Sequence, residues 1–541
     1  MTNSLRTLAF LVPIAFIGCS QPGPASITSP ISGALILEMN PSGRAPLSGL
    51  VRFSTSQPAR VIAVISDGEN TTTLPADESY KTEHELMLLG FRPDRHHTVT
   101  LILENQDGRI STTPAASFSV QTPRLVEDTP PIELVFAQPE AMEPGLTFVP
   151  MFRWVDQQID QTYGQMLVID EKGDVVWQYE APHGLYEVKR LENGNLLYMQ
   201  FGWAMTEIDM LGNVINEWHP GRSIQSPSRD SIPVDTDTFH HDVWVMPSGN
   251  LLTLSTEVRE VADWPTSESD PDAPRETQDV IGDVLIEFQR DGTVVNEWKF
   301  FDLIDPYRIG YGSLNKDFYA GVYDEPASDW THNNGIFFDE GTNTALVSTN
   351  RLSTVMNLDL ETGELLWMLG DPGNWRKPWS DLLLEPEGDL LWSYHHHSPK
   401  WTPDGTLLLF DNGAVRALPP DPPLPAEEAF SRAVEYEIDA TNGKVRQVWS
   451  YGGPGDEIFL SAYISEADWL PQTENILVTS GGRIRDDDGN VLMFPEEGHN
   501  WITLTEVTHT TPAEKVWEVK IDNPGPGWAT FRTDRIPSLY W

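Results

Sequence analysis

From Gln165 onward the hydrophobic and polar positions fall into one recurring phrase. An apolar strand ends on an acidic or polar residue, a turn follows, and a second strand closes on tryptophan. The copies are 166–177 (MLVIDEKGDVVW), 206–218 (TEIDMLGNVINEW), 284–298 (VLIEFQRDGTVVNEW), 354–367 (TVMNLDLETGELLW), 434–449 (VEYEIDATNGKVRQVW) and 502–517 (ITLTEVTHTTPAEKVW). Apolar runs on either side of a short polar turn predict a β-hairpin. Each hairpin is followed by a second pair of strand-like runs, such as 186–199 and 467–479. Four strands per unit and six units predict a six-bladed β-propeller over 126–541. Trp177 and Trp218 enclose little more than a bare unit, whereas the later closing tryptophans lie further apart. Insertions are therefore expected at 222–239, 259–282, 302–329 and 371–393, and in repeat folds these gather on one face, often the binding face. Ring closure is expected from strands at 126–137 or 528–540.

The pattern before the repeats is simpler. Alternating runs at 31–38, 49–54, 60–66, 84–89, 97–104 and 116–121 are separated by turn pairs such as Asp67-Gly68 and Asp107-Gly108. About seven short strands within 27–125 predict a small fibronectin- or immunoglobulin-like β-sandwich, and the fold class is all-β. No paired titratable residues there suggest chemistry, so a spacer or docking role is expected.

Residues 1–19 read as a targeting segment, with Arg6, an apolar run over 8–17 and Gly18-Cys19-Ser20. The run is too short to span a bilayer stably. Cys19, the single cysteine, resembles a bacterial lipoprotein processing site, with 20–26 as a tether. The expectation is an exported protein, periplasmic or anchored to the outer membrane through lipid on Cys19, and held together by packing without disulfides.

Composition excludes some partners. The formal charge of −46 argues against nucleic acid, which needs clustered Lys and Arg, and against an anionic membrane face. With 19 tryptophans, 40 glycines and 43 prolines the chain suits many short strands and tight turns. An anionic substrate would approach against the overall field, so cations at its site must outweigh it.

Histidines recur at matching points. His241 and His397 each stand six residues before a turn proline, Pro247 and Pro403, and His332 occupies a similar place looser by one residue. Equivalent positions on the first strands of a propeller form a ring at the channel, which would gather His241, His332, His397 and Tyr186. Arg351 leaves the strand that His332 enters and would reach the same end. Imidazoles with a guanidinium suit a tetrahedral oxyanion. Three histidines could alternatively hold a metal for hydrolysis. A non-catalytic binding propeller at the cell surface is the third reading.

The ordered set His240-His241-Asp242, Asp329-Trp330-Thr331-His332-Asn333-Asn334, Ser348 to Arg351, His397 with Phe410-Asp411-Asn412-Gly413, and Arg535-Ile536-Pro537-Ser538-Leu539-Tyr540 resembles the bacterial arylsulfate sulfotransferases. The resemblance covers most of the chain from Gln165 to the end. It implies a six-bladed propeller behind a small β-sandwich. It also implies transfer of a sulfuryl group from a phenolic sulfate ester to a phenol, without 3′-phosphoadenylyl sulfate or another cofactor, through a sulfated histidine. His397 matches the nucleophile; His241, His332 and Arg351 match the groups that hold the sulfuryl oxygens, with Tyr186 and Asn334 as further substrate contacts. His395 and His396 compete for the first role, and the turn offset together with strand alternation favours His397. The expected partners are an aryl sulfate donor and a phenolic acceptor, with no metal; a homo-oligomer is compatible with this reading. Trp203, Trp330 and Tyr394 are candidate walls for a phenol ring, with core packing as the alternative for each.

Overall fold

The computed structural model describes residues 31–540 apart from 76–78, 109–115, 202–203, 223–227, 229 and 324. The targeting segment, the tether, Cys19 and Trp203 lie outside the described residues.

Alternation builds the N-terminal domain. In Gly49–Ser66 every second residue of the second half, Val61, Ala63 and Ile65, is buried while the residues between are partly exposed. The expected strands at 49–54 and 60–66 are one continuous strand. Pro58, which cannot donate to a ladder, falls within the register shift between Ser54 and Ala59. Its first half pairs with Ile31–Met39 and Lys81–Leu88, its second with Thr71–Thr73 and His96–Asn105. Ala116–Gln121 completes six strands.

Six further sheets follow, each an open antiparallel array of at least four strands. Sheet I runs from Leu146–Val155 through Gln158–Ile169 to Val175–Ala181. Sheet II comprises Leu185–Arg190, Leu196–Gln200, Met205–Ile208 and Val214–Pro220. Sheet III comprises His240–Val245, Leu251–Trp264, Glu276–Phe288 and Val294–Lys299. Sheet IV comprises Asn333–Asp339, Thr344–Thr349, Thr354–Asp359 and Leu365–Gly370. Sheet V comprises His397–Trp401, Leu407–Asp411, Arg432–Asp439 and Lys444–Tyr451. Sheet VI comprises Glu466–Trp469, Ile476–Arg485, His499–Val507 and Lys515–Ile521.

All six Trp-closed hairpins read from the sequence are the last two strands of these sheets, and the pair that follows each of the first five opens the next sheet. The repeat in the chain is thus offset by half a sheet from the repeat in space. Both ends of this region join across it. Ile132–Ala137 adds an outer strand to sheet VI, while Gly527–Ala529 and Asp534–Ile536 both pair with Leu146–Val155 of sheet I. The sequence offered these segments as alternatives; the fold uses both.

The closing tryptophans link neighbouring sheets. Trp177 of sheet I donates its indole N–H to Met210 O in the turn of sheet II, and Trp218 donates to Arg290 O of sheet III. Trp449 donates to Thr510 O of sheet VI, and Trp517 of sheet VI donates to Glu171 O of sheet I. The N-terminal domain is fastened to sheet I by Arg92, which pairs with Asp170 at 2.5 Å and Asp174 at 2.9 Å. Tyr540 Oη accepts the N–H of Leu89 and donates to its carbonyl.

Candidate active site

The first strands of the six sheets meet, and the histidines sit where they enter. His397 is the first residue of its strand; His241 lies in a bulge between the pairs His240–Leu254 and Val243–Thr253; His332 immediately precedes Asn333–Asp339. His241 and His332 hold positive φ values of 60° and 50°. Such backbone is uncommon for a side-chain-bearing residue and concentrates at functional sites. Their rings are 4.8 Å apart between centroids, and both Tyr186 and Phe318 lie flat against His241, at 6.0 and 5.7 Å.

Hydrogen bonds assign a tautomer to each ring. Asn412 Nδ2 donates to Ser461 O at 2.8 Å and to Ile464 O at 2.7 Å, so its amide oxygen must face His397 Nδ1, 2.6 Å away. His397 Nδ1 therefore carries the proton and Nε2 carries the lone pair. His332 Nδ1 donates to Asp329 Oδ2 at 2.6 Å. His240 Nε2 donates to Ser255 O at 3.1 Å, which leaves His240 Nδ1 to accept from His241 Nδ1 at 2.8 Å. All three site histidines are thus held by Nδ1 and present Nε2.

Asp329 also takes Arg351 Nη2 at 3.2 Å, tying guanidinium and imidazole to one carboxylate. Burial alone would raise the Asp329 carboxyl, but His332 and Arg351 outweigh it and hold it below the usual range. Arg351 Nε is buried and has no acceptor. Burial drives His397 well below the ordinary imidazole value, and the nearby Arg532 and His332 add to the drop against the opposing Asn412 bond. His241 is depressed in the same way by burial and by its histidine neighbours. Both are neutral near pH 7.

One central residue went unread in the sequence. Arg532, buried between the two C-terminal strands of sheet I, reaches Asp242 Oδ2 at 2.7 Å, Glu187 Oε2 at 3.0 Å, Ser398 Oγ at 2.8 Å and Asn334 O at 3.3 Å. Burial disfavours its charge, yet Asp242, Glu187 and Glu466 more than compensate and raise it above the ordinary arginine range. Alternation along the first strands arranges two levels here. Glu187, Asp242, Asn334, Ser398, Glu466 and Arg532 form one; two residues on, Lys189, Trp244, Ile336, Lys400, Asp468 and Asp534 form the next. Lys189 lies 2.8 Å from Glu187 and 3.5 Å from Asp242, and Lys400 pairs with Glu466 at 2.5 Å and with Asp468. Burial pushes the Glu187 carboxyl up to about 7. A single arginine late in the chain gives no periodic signal, because its partners are distributed over four other sheets.

The remaining expectations divide. Asn334 is beside the site, but its amide N–H donates to His396 O at 3.0 Å, alongside Ser348 Oγ at 3.1 Å. Asn350 Nδ2 likewise holds His395 O at 3.0 Å. These three donors fix the backbone leading into His397. His396 turns the other way, into a small cavity beside Val355, Leu369, Trp392 and Tyr436, as alternation predicted. His395 faces Asn350 Oδ1 at 3.2 Å. Trp330 is fully buried, packed on Phe301 and Trp264, and Tyr394 Oη donates to Asp371 at 2.7 Å. Neither forms an aromatic wall for the histidines. Tyr186, Phe318 and Phe531 do, and Phe318 is delivered by the predicted insertion at 302–329. Among the described residues the one trio of ligating groups with atoms within 4.8 Å of one another is Glu466, Asp468 and Asp534, not the histidines.

The all-β chain agrees with the family comparison. Residues 132–524 match the family described as Arylsulfotransferase (ASST), and residues 36–121 match the Arylsulfotransferase Ig-like domain. The chain belongs to the arylsulfotransferase family. Arylsulfate sulfotransferase AssT of Escherichia coli O6:H1 is 25% identical over 420 residues, covering 70% of this chain and 62% of that protein. AssT of Lelliottia amnigena is 28% identical over 241 residues, 37% of this chain and 40% of that protein. The chain thus spans less than two thirds of the length of either relative. A solved protein of unknown function from Bacteroides caccae is similar at 13% identity over 73% of this chain and 93% of its own, with a TM-score of 0.30, too low to argue from.

Proposed function

We propose that the protein is an aryl-sulfate sulfotransferase independent of 3′-phosphoadenylyl sulfate, working through a sulfohistidine at His397. The carrying observation is the Asn412 amide, whose orientation leaves the Nε2 lone pair of a neutral His397 free. In the first half-reaction Nε2 attacks sulfur, an N–S bond forms and the aryl O–S bond breaks. His332, entering this step protonated on both nitrogens with Nδ1–H on Asp329, gives its Nε2 proton to the departing phenolate oxygen and is left neutral. In the second half an acceptor phenol oxygen attacks sulfur, the N–S bond breaks, and the phenolic proton returns to His332. Arg351 stabilises the equatorial oxygens, as positioned cations do in the related phosphoryl transfer, while neutral His241, its Nδ1–H on His240, packs against the His332 ring.

Six sheets closing as a six-bladed propeller is part of the same reading. It is supported by the Trp517–Glu171 bond between sheets VI and I and by the two terminal segments that join them. Export and lipidation at Cys19 are proposed from the N-terminal sequence; palmitate found on a peptide beginning at Cys19 would support both.

The test is intact-protein mass spectrometry after incubation with 4-nitrophenyl sulfate and no acceptor. An adduct of about 80 Da, one SO3 group, is expected, and it should disappear when a phenol is added. His397→Ala should form none, while His396→Leu should. An adduct that survives in His397→Ala would sink the assignment.

A further inference from the structure

A second cavity lies apart from the histidines. It has a volume of about 600 Å³ and opens between the 265–275 loop that joins the long strands of sheet III, the segment 305–309, the turn 374–376 and Pro419-Pro420. Its floor contains a buried cation whose charge Asp371 and Asp305 favour only from a distance. Arg308 is only 2% exposed, and its guanidinium stacks 4.5 Å from the Trp375 ring centre. Among the described residues its one hydrogen bond runs from Nη1 to Leu352 O at 2.8 Å, and Nε and Nη2 are buried without an acceptor, as is Trp375 Nε1.

Three of the carboxylates around the cavity have partners of their own, and the fourth, Asp263, is not paired with Arg308. Asp305 is held by Arg376, with Nε at 2.6 Å. Glu268 Oε1 takes the N–H groups of Gly312 at 2.9 Å and Leu314 at 3.1 Å, and Asp270 caps the N–H of Asp272. Among the described residues no carboxylate pairs with Arg308. Burial lowers Arg308 to about 10, so it stays cationic at neutral pH. A buried cation with vacant donors is costly unless something completes it. The adjacent surfaces say what would. Trp375, Tyr307 and the two prolines offer flat apolar faces, and forked N–H donors fit carboxylate, sulfate or similar oxyanions.

We propose that this cavity binds an anionic aromatic compound, its ring against Trp375 and its oxygens on the vacant N–H groups of Arg308. The pocket is separate from the histidine cluster, although the segment 310–314 between them packs on Arg351. A Cβ at Gly312 would stand 2.5 Å from Arg351 Nη1, so that loop is moulded to the guanidinium.

The probe is 1-naphthoate, which carries neither a sulfate ester nor a phenol and so cannot react. Isothermal titration of the full chain should show one saturable site. Neutral 1-naphthamide should bind more weakly by about tenfold or more. Ala273→Trp, which fills the cavity from its partly exposed loop, should abolish binding, Arg308→Met should weaken it, and His397→Ala should leave it unchanged. Binding that survives Ala273→Trp, is lost in His397→Ala, or is matched by naphthamide overturns the proposal, as does the absence of saturable binding. None of these results depends on whether sulfuryl transfer occurs, so this assignment and the catalytic one fail separately.

Discussion

At the scale of the residue, the decisive unit is a pair rather than a histidine. An imidazole alone can carry its proton on either nitrogen; His397 cannot, because Asn412 faces it with an oxygen whose orientation is locked by two backbone carbonyls. Asn412→Leu keeps the volume but frees the tautomer. It should lower kcat for aryl sulfate turnover by about 10²- to 10⁴-fold, by analogy with loss of the residue that orients a catalytic histidine. The same variant should slow appearance of the protein adduct, which a merely destabilised fold would not do at temperatures where it remains native. His396 provides a contrasting case. Burial lowers it to about 4, against about 6.5 for an unfolded imidazole. Below pH 6.5 the unfolded chain binds this proton and the folded chain does not. The stability it confers is therefore present above pH 6.5 and is lost as pH falls through about 4. Relative to wild type, His396→Leu should lose about 3 kcal/mol less stability between pH 7 and pH 4. Parallel denaturation curves at the two pH values would count against it.

At the scale of the element, first strands supply alternate residues to the two charged levels around Arg532, and the entry to the first strand of sheet V is clamped by sheet IV. The Asn334, Ser348 and Asn350 side chains of sheet IV hold the carbonyls of His395 and His396 and so aim His397 from outside its own sheet. His332, at positive φ, has its own carbonyl held by the Asn350 N–H at 3.1 Å. The outer edges are joined by indole hydrogen bonds, of which Trp517 to Glu171 O is the one joining sheets VI and I. Trp517→Phe removes that bond while keeping most of the packing. It should cost about 1 kcal/mol in denaturant unfolding, with unchanged adduct formation on His397.

At the scale of the whole molecule, a formal charge of −46 surrounds the site for which an anionic substrate is proposed. Of the local cations, Arg532 is buried and Arg351 half-buried within that field. Screening should therefore help the substrate in. Raising ionic strength from about 0.01 M to about 0.5 M should increase kcat/KM for an anionic aryl sulfate, because the Debye length falls from about 30 Å to a few ångström. A rate that falls with salt would mean that the local cations, not the net charge, steer the encounter. Beneath the histidines, five carboxylates and three cations share the buried levels around Arg532, a density of charge tolerable only because nearly every group has an opposite partner there.

The six tryptophan-closed hairpins and the β-rich N-terminal domain could be read from the chain alone, because periodic burial writes itself into residue order at short range, and the same periodicity placed histidines 241, 332 and 397 at strand entries. The half-sheet offset and the pairing of both end segments were not read from it. Arg532, Phe318, the Asn412 tautomer lock and the unpaired Arg308 could not be read that way. Each takes its meaning from partners tens to hundreds of residues distant, and neither spacing nor composition records which distant groups a fold will bring within hydrogen-bond reach.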